Sequence, residues 1–101
     1  MDIAQIKSNV KKLCIKYQVK NLNLFGSIAR GDYSKANDMD FLVEFEDSEP
    51  KKYSKRFFGL LHSLEDTFHC NIDLITKASI RRKTLKNNIE KDRICLYERR
   101  S

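Results

Sequence analysis

The 101-residue sequence has no tryptophan, one proline, three glycines and three cysteines. Its apolar runs extend over only a few residues, which excludes a segment that spans a bilayer as a helix. No basic stretch followed by an apolar one opens the chain, so we expect no signal peptide. The three cysteines are widely spaced and form no CxxC pair, which argues against a disulfide framework or a zinc cage. We therefore expect a cytoplasmic protein in a reducing compartment, with no membrane partner.

The composition is that of one folded domain spanning residues 1–101, with 41% hydrophobic and 34% charged residues. The formal net charge of +6 is unevenly distributed. Residues 1–76 carry equal numbers of acidic and basic side chains, whereas residues 77–101 carry nine basic and three acidic ones. This basic segment could face phosphates or dock an acidic partner, and the sequence leaves both interpretations open.

Apolar periodicity and turn residues predict alternating helices and strands along the chain. A sheet of about four strands with helices packed on one face satisfies this order, so the expected fold is a small mixed α/β (α+β) sheet. The predicted elements, in chain order, are a helix over 3–18, strands at Asn21–Phe25 and Met39–Glu46, a loop at Asp47–Lys52, a helix carrying Phe57–Phe68, a strand at Asn71–Thr76, a helix from Ser79 and a strand at Ile94–Tyr97.

The turn after the first predicted strand begins a pattern that favours phosphate and metal chemistry. Gly26 allows a close backbone approach, and Ser27 offers a hydroxyl and an N–H where the chain turns. Asp38 and Asp40 follow at the start of the next strand and, two residues apart, lie on the same face. Two neighbouring carboxylates are costly unless a cation lies between them, and such oxygen ligands suit Mg²⁺.

A third carboxylate, Asp73, lies within the otherwise apolar segment Asn71–Thr76. An unpaired charge buried in such a strand would be expensive, which favours a functional role. If this strand lies beside Met39–Glu46, Asp73 completes a three-carboxylate site. Sites of this kind hold two metal ions and serve in-line displacement at phosphorus.

This arrangement of Gly-Ser, Asp-x-Asp and a later Asp resembles the nucleotidyltransferases of the polymerase beta superfamily. More closely, the chain is similar to the minimal nucleotidyltransferases (MNT proteins), many of which are antitoxin partners of HEPN-domain toxins. The signature covers Leu24 to Phe45 and continues through Ile72–Thr76 to the closing segment Cys95–Glu98. At average residue usage the four fixed positions arise by chance in roughly one chain in a thousand.

The resemblance implies roles for individual residues. It assigns Gly26 and Ser27 to the triphosphate and Arg30 to the phosphates or to the turn itself. It assigns Asp38, Asp40 and Asp73 to two Mg²⁺ ions and to catalysis, with Asp73 helping to activate the attacking hydroxyl. Asn37 departs from the family pattern, because a serine usually stands before the first aspartate.

The resemblance implies a Mg²⁺-dependent transfer of AMP from ATP to a hydroxyl, with a tyrosine of a partner HEPN toxin as the expected acceptor. Within this reaction, a small molecule or an RNA 3′ hydroxyl could instead be the acceptor. Two interpretations outside it also stay open at this point. The chain could be a non-catalytic antitoxin that acts by binding, or a nucleic-acid-binding module led by its basic C-terminal region. The oligomeric state does not follow from the sequence.

Overall fold

The structure is a computed structural model, and it describes residues 3–29, 38–46, 50–76 and 93–99. Four strands form one sheet, and two long helices and one short helix connect to it. In chain order the elements are α1 (Ile3–Lys16), β1 (Val19–Phe25), α2 (Gly26–Ala29), β2 (Asp38–Phe45), α3 (Pro50–Phe68), β3 (Asn71–Thr76) and β4 (Ile94–Glu98).

The sheet is mixed and has the strand order β3-β2-β1-β4. β1 pairs with β2 and with β4 in the antiparallel sense, whereas β2 pairs with β3 in the parallel sense. The parallel pair is connected through α3, as such pairs require a crossover segment. This topology puts β1 and β2 at the centre of the sheet and β3 at one edge.

Both long helices pack on the same face of the sheet, because that face carries the alternating apolar side chains of the central strands. Met39, Phe41 and Val43 of β2 are buried there against Leu60 and Leu64 of α3. On the other face, Phe25 and Leu42 form a second, smaller buried cluster with Ile75 packed against it. The predicted sheet with helices against one face is therefore confirmed.

A contact between Tyr17, the residue directly after α1, and α3 fixes the position of the two long helices relative to each other. The hydroxyls of Tyr17 and Ser63 are 3.0 Å apart and share a hydrogen bond. Gly59 lies directly beneath the same tyrosine ring, where an added Cβ would come within 2.6 Å of a ring carbon. The absence of a side chain at position 59 therefore allows the helices to approach closely.

The predicted elements within the described residues are all observed; the strand Asn71–Thr76 keeps its predicted bounds, and the other elements have shifted ends. The loop prediction is wrong at residues 50–52, because α3 already begins at Pro50. Proline suits the first turn of a helix, where its missing N–H has no helical partner to lose. The helix predicted from Ser79 lies outside the described residues. None of the described helices is long and apolar enough to cross a membrane.

Candidate active site

The parallel pairing of β2 and β3 brings the predicted carboxylates to neighbouring positions. Asp40 is the register partner of Asp73, and Asp38 is the register partner of Asn71. Paired strands lie about 4.8 Å apart, and both aspartates of β2 lie on the face opposite the long helices. The predicted three-carboxylate site required the strand of Asp73 to lie beside the strand of Asp40, and the structure shows this arrangement.

Gly26 lies close to Asp40 where β1 ends and α2 begins. Phe25, the residue before it, is the register partner of Asp40 on the antiparallel side of β2. Gly26 has a φ of +80°, and a Cβ at this position would lie 2.3 Å from Oδ2 of Asp40. Both the left-handed backbone and the missing side chain are needed here, because any larger residue would displace the carboxylate.

The three aspartates differ in exposure. The side chains of Asp38 and Asp73 are exposed, and that of Asp40 is half-buried. The expectation that Asp73 is buried among apolar residues is therefore wrong. It occupies an edge strand, and its side chain points away from the core that holds Leu74. The argument for Asp73 rests on its register with Asp40 rather than on a cost of burial.

Carboxylate oxygens dominate the chemistry of this part of the sheet, and such donors fit Mg²⁺. Among the residues that the structure describes, no three His, Cys, Asp or Glu side chains are gathered closely enough to hold a metal ion. The backbone thus puts the carboxylates on adjacent strands, and their side chains would have to converge on a cation. The assignment of Asp38, Asp40 and Asp73 as metal ligands stays a prediction.

A cysteine that the sequence did not single out lies beside the carboxylates. Cys70 immediately precedes Asn71, the register partner of Asp38. Partial burial raises the pKa of the Cys70 thiol, and the negative charge of Asp38 raises it further. The thiol is therefore less readily ionised than an ordinary cysteine, which disfavours it as a nucleophile. Sequence order alone could not reveal this contact, because it depends on the β2–β3 register.

A chain of polar contacts crosses β1 and β2 on the face that carries Asp40. Asn21 donates a hydrogen bond of 2.8 Å from Nδ2 to Oε2 of Glu44, whose Oε1 lies 3.8 Å from Nζ of Lys20. Asn23 is only 5% exposed, and its Nδ2 lies 3.4 Å from Oδ1 of Asn21. These contacts give Glu44 a structural role and keep its charge paired at the far end of the strand.

Of the predicted phosphate-binding residues Ser27 and Arg30, the structure describes only the backbone of Ser27. The backbone of Ser27 belongs to α2, the short helix that forms the turn after β1. Arg30 lies outside the described residues, as does most of the basic segment 77–101. Their assigned roles therefore stay predictions.

The sequence profile of the nucleotidyltransferase domain family matches residues 6–96. The chain belongs to this family, and the resemblance inferred from Gly26-Ser27 and the aspartates is confirmed. A relative in Methanocaldococcus jannaschii, MJ1379, is 38% identical over 89 residues, which cover 88% of each chain. That protein is provisionally named a protein adenylyltransferase.

Solved structures of low sequence identity share the fold. A toxin–antitoxin structure with AMP-PNP matches with a TM-score of 0.70 at 19% identity, covering 93% of this chain and 74% of the other. A structure of the tri-AMPylated Shewanella oneidensis HEPN toxin in complex with MNT antitoxin matches with a TM-score of 0.67 at 17% identity. That match covers 97% of this chain and 74% of the other. The fold of this chain is thus that of minimal nucleotidyltransferases.

Proposed function

We propose that this chain transfers AMP from ATP to a hydroxyl of a partner protein, a tyrosine of a HEPN-domain toxin, and so acts as the antitoxin of the pair. The pairing of Asp40 with Asp73, next to the close approach of Gly26, carries this proposal. Membership of the nucleotidyltransferase family supports the reaction type. The protein adenylyltransferase name of MJ1379 and the AMPylated toxin in a structure of the same fold support the acceptor class.

The reaction is an exchange at the α-phosphorus of ATP. The acceptor oxygen forms a bond to that phosphorus, the bond to the β-phosphate oxygen breaks, and pyrophosphate leaves with the electron pair. The hydroxyl proton passes to a nearby base or to water. Asp73, on the exposed edge strand, is where an incoming acceptor can reach the site, so we assign it to orienting and deprotonating that hydroxyl.

Asp38, Asp40 and Asp73 would hold Mg²⁺, which when bound neutralises phosphate charge and orients the triphosphate. The oxygen donors on β2 and β3 support Mg²⁺ over thiophilic metals. Gly26 keeps the space that the Asp40 carboxylate occupies and brings the backbone of the turn next to it. The protein's contribution is mainly positioning, as is usual in phosphoryl and nucleotidyl transfer.

The test is transfer of label from α-³²P-ATP to the purified cognate HEPN protein in the presence of MgCl₂. Asp40→Asn and Asp73→Asn are expected to reduce transfer by about 10²- to 10³-fold, because the first removes a ligand for Mg²⁺ and the second also removes the group that deprotonates the acceptor. The matched control is Glu98→Gln, the same change of carboxylate to amide on β4 at the opposite edge of the sheet. Catalysis by this chain would be refuted if no label were transferred. It would also be refuted if the parent protein, the two asparagine variants and the control transferred label equally.

The same variants separate catalysis from neutralisation by binding. If the chain acts by modification, Asp40→Asn loses both label transfer and the ability to protect cells from the toxin. Protection that persists without label transfer would instead establish the non-catalytic antitoxin. Complex formation measured by size-exclusion chromatography shows whether the variant still binds its partner.

A further inference from the structure

A second surface with binding chemistry lies on the face of the sheet opposite the carboxylates. A groove of about 250 Å³ opens between the first half of α3 and the end of β3. Because side chains alternate along a strand, Leu74 and Thr76 in the groove point away from the face of Asp73. We call this feature the aromatic groove; it is lined by Tyr53, Ser54, Phe57, Phe58, Leu74 and Thr76.

The groove carries exposed aromatic rings that neighbouring rings hold in place. Tyr53 is 39% and Phe58 54% exposed, and they are two of the three large hydrophobic side chains exposed in the described part of the chain. The Tyr53 ring meets Phe45 edge-on, with centroids 5.4 Å apart. Phe58 meets Phe57 in the same way at 5.4 Å. Exposed rings fixed in this manner offer flat faces for stacking at little entropic cost.

The half of α3 that borders the groove is strongly basic. Residues 50–64 include Lys51, Lys52, Lys55 and Arg56 and contain no aspartate or glutamate. The first turn of α3 has no acidic residue, although the positive end of a helix favours one. Lysines near the positive end of a helix are unfavourable for its stability, and departures of this kind are expected where a surface serves binding. Glu46, which follows the Phe45 that contacts Tyr53, is already paired with Arg99.

These observations distinguish the groove from the other basic helix surface. α1 carries Lys7, Lys11, Lys12 and Lys16, but its exposed large hydrophobic residue is the aliphatic Ile15. In α3, Lys55 lies three residues before Phe58, so helical spacing puts these two side chains on adjoining parts of the helix surface. Lysines interleaved with stacking rings are typical of single-strand nucleic-acid binding, whereas lysine is depleted in protein–protein interfaces.

We propose that the aromatic groove binds single-stranded RNA, with an unstacked base on the Tyr53 and Phe58 rings and a backbone phosphate at Lys55. The groove is smaller than the 300–1,000 Å³ typical of sites for drug-sized ligands, so it accommodates one planar group rather than a folded molecule. The hydroxyl of Ser54 in the groove lining is a partner for a ribose 2′-hydroxyl, the group that distinguishes RNA from DNA. This site is independent of the proposed adenylyl transfer.

The test is fluorescence anisotropy with a labelled ten-nucleotide oligouridylate, without ATP or Mg²⁺. We expect a dissociation constant on the order of 10 µM at 50 mM salt, and weaker binding as salt rises. Phe58→Ala, at a largely exposed ring, is expected to weaken binding about tenfold through lost stacking. Tyr53→Phe keeps the ring and is expected to bind like the parent protein. No detectable binding at 50 mM salt would overturn the proposal.

A matched pair of charge reversals separates the groove from general electrostatics. Lys55→Glu on α3 and Lys12→Glu on α1 make the same change at exposed helical positions. We expect Lys55→Glu to weaken binding at least fivefold and Lys12→Glu less than twofold. Equal losses in the two variants would overturn the assignment to the groove. Circular dichroism melting confirms that each variant is folded.

Two competitors test the class of ligand. Oligothymidylate of the same length is expected to displace the labelled RNA less effectively than unlabelled RNA does. A polyglutamate peptide of equal charge is expected not to displace it at equal concentration. Displacement by polyglutamate as effective as that by RNA would show a docking surface for acidic proteins and overturn the proposal. Equal displacement by the two oligonucleotides would overturn the assignment to RNA.

Discussion

Gly26 and Asp40 are so close that a single methyl group on residue 26 would lie 2.3 Å from Oδ2 of the carboxylate. The contact joins the turn after β1 to the middle of the site on β2. The missing side chain of Gly26 therefore leaves the space that the Asp40 carboxylate occupies. Its positive φ and its open Cβ position are separate requirements, and an alanine would violate both.

We predict that Gly26→Ala reduces adenylyl transfer about 100-fold or more, because displacing a reacting group by about 1 Å can have an effect of this size. Stability should fall by about 1 kcal/mol or more, since a left-handed backbone disfavours alanine. Transfer assays and urea denaturation measure the two effects separately.

The double variant Gly26→Ala/Asp40→Ala shows how much of the stability lost in Gly26→Ala comes from the clash with the Asp40 carboxylate. Removing the carboxylate relieves the clash, so the two changes should be less than additive in free energy of unfolding. Strict additivity would show that the glycine matters only for its backbone conformation.

Cys70 offers a second readout of the site, because the charge of Asp38 contributes to its raised pKa. We predict that Asp38→Asn lowers the Cys70 pKa and speeds alkylation by iodoacetamide at pH 8, since the thiolate is the reactive form. The rate is measured by mass spectrometry in a Cys95→Ser background, with Cys14 buried.

Mg²⁺ bound at Asp38 should have the same effect on Cys70 as the substitution, because it compensates the same negative charge. The alkylation rate should rise with MgCl₂ in the parent protein but not in Asp38→Asn, at constant ionic strength. A rate insensitive to MgCl₂ in both proteins would argue against Asp38 as a metal ligand.

The contact between Tyr17, just after α1, and Gly59 of α3 predicts an unusual response to a glycine substitution. Replacing glycine by alanine inside a helix normally increases stability by about 1 kcal/mol. Gly59→Ala should instead lower the stability of the fold, because the added methyl group would clash with the Tyr17 ring. Tyr17→Phe should lower the free energy of unfolding by about 1 kcal/mol, because it loses the hydrogen bond to Ser63. Ser63→Ala should add little further loss in the Tyr17→Phe background. Thermal denaturation tests all three, and a more stable Gly59→Ala variant would contradict the packing.

Burial raises the pKa of the Cys14 thiol from 9.0 to about 12. The folded state therefore keeps this proton while the unfolded chain loses it, so stability falls as pH rises from about 9 towards 12. We predict that the raised pKa of Cys14 lowers the free energy of unfolding by about 1 kcal/mol at pH 10. Urea denaturation measures the decrease in the free energy of unfolding between pH 8 and pH 10. This decrease should be smaller in Cys14→Ala than in the parent protein, whereas Cys95→Ser, at an exposed cysteine, should behave like the parent protein.

Local sequence patterns predicted the helices and strands well, because apolar periodicity reports directly which face of an element is buried. The strand at Asn71–Thr76 is observed with the predicted bounds. The loop prediction failed at residues 50–52, where the proline that suggested a break instead begins α3. The burial argument for Asp73 also failed, since alternation along the strand does not reveal that it lies at the edge of the sheet.

The sequence by itself determined the set of reactive groups: a glycine–serine turn, two aspartates two residues apart and a third in a later strand. It also determined the family, because that spacing is rare by chance. The tertiary structure alone decided that Asp40 pairs with Asp73, that Gly26 makes room for Asp40, and that Cys70 lies near Asp38. Strand order and register bring together residues far apart in the chain, and they depend on how the apolar faces pack.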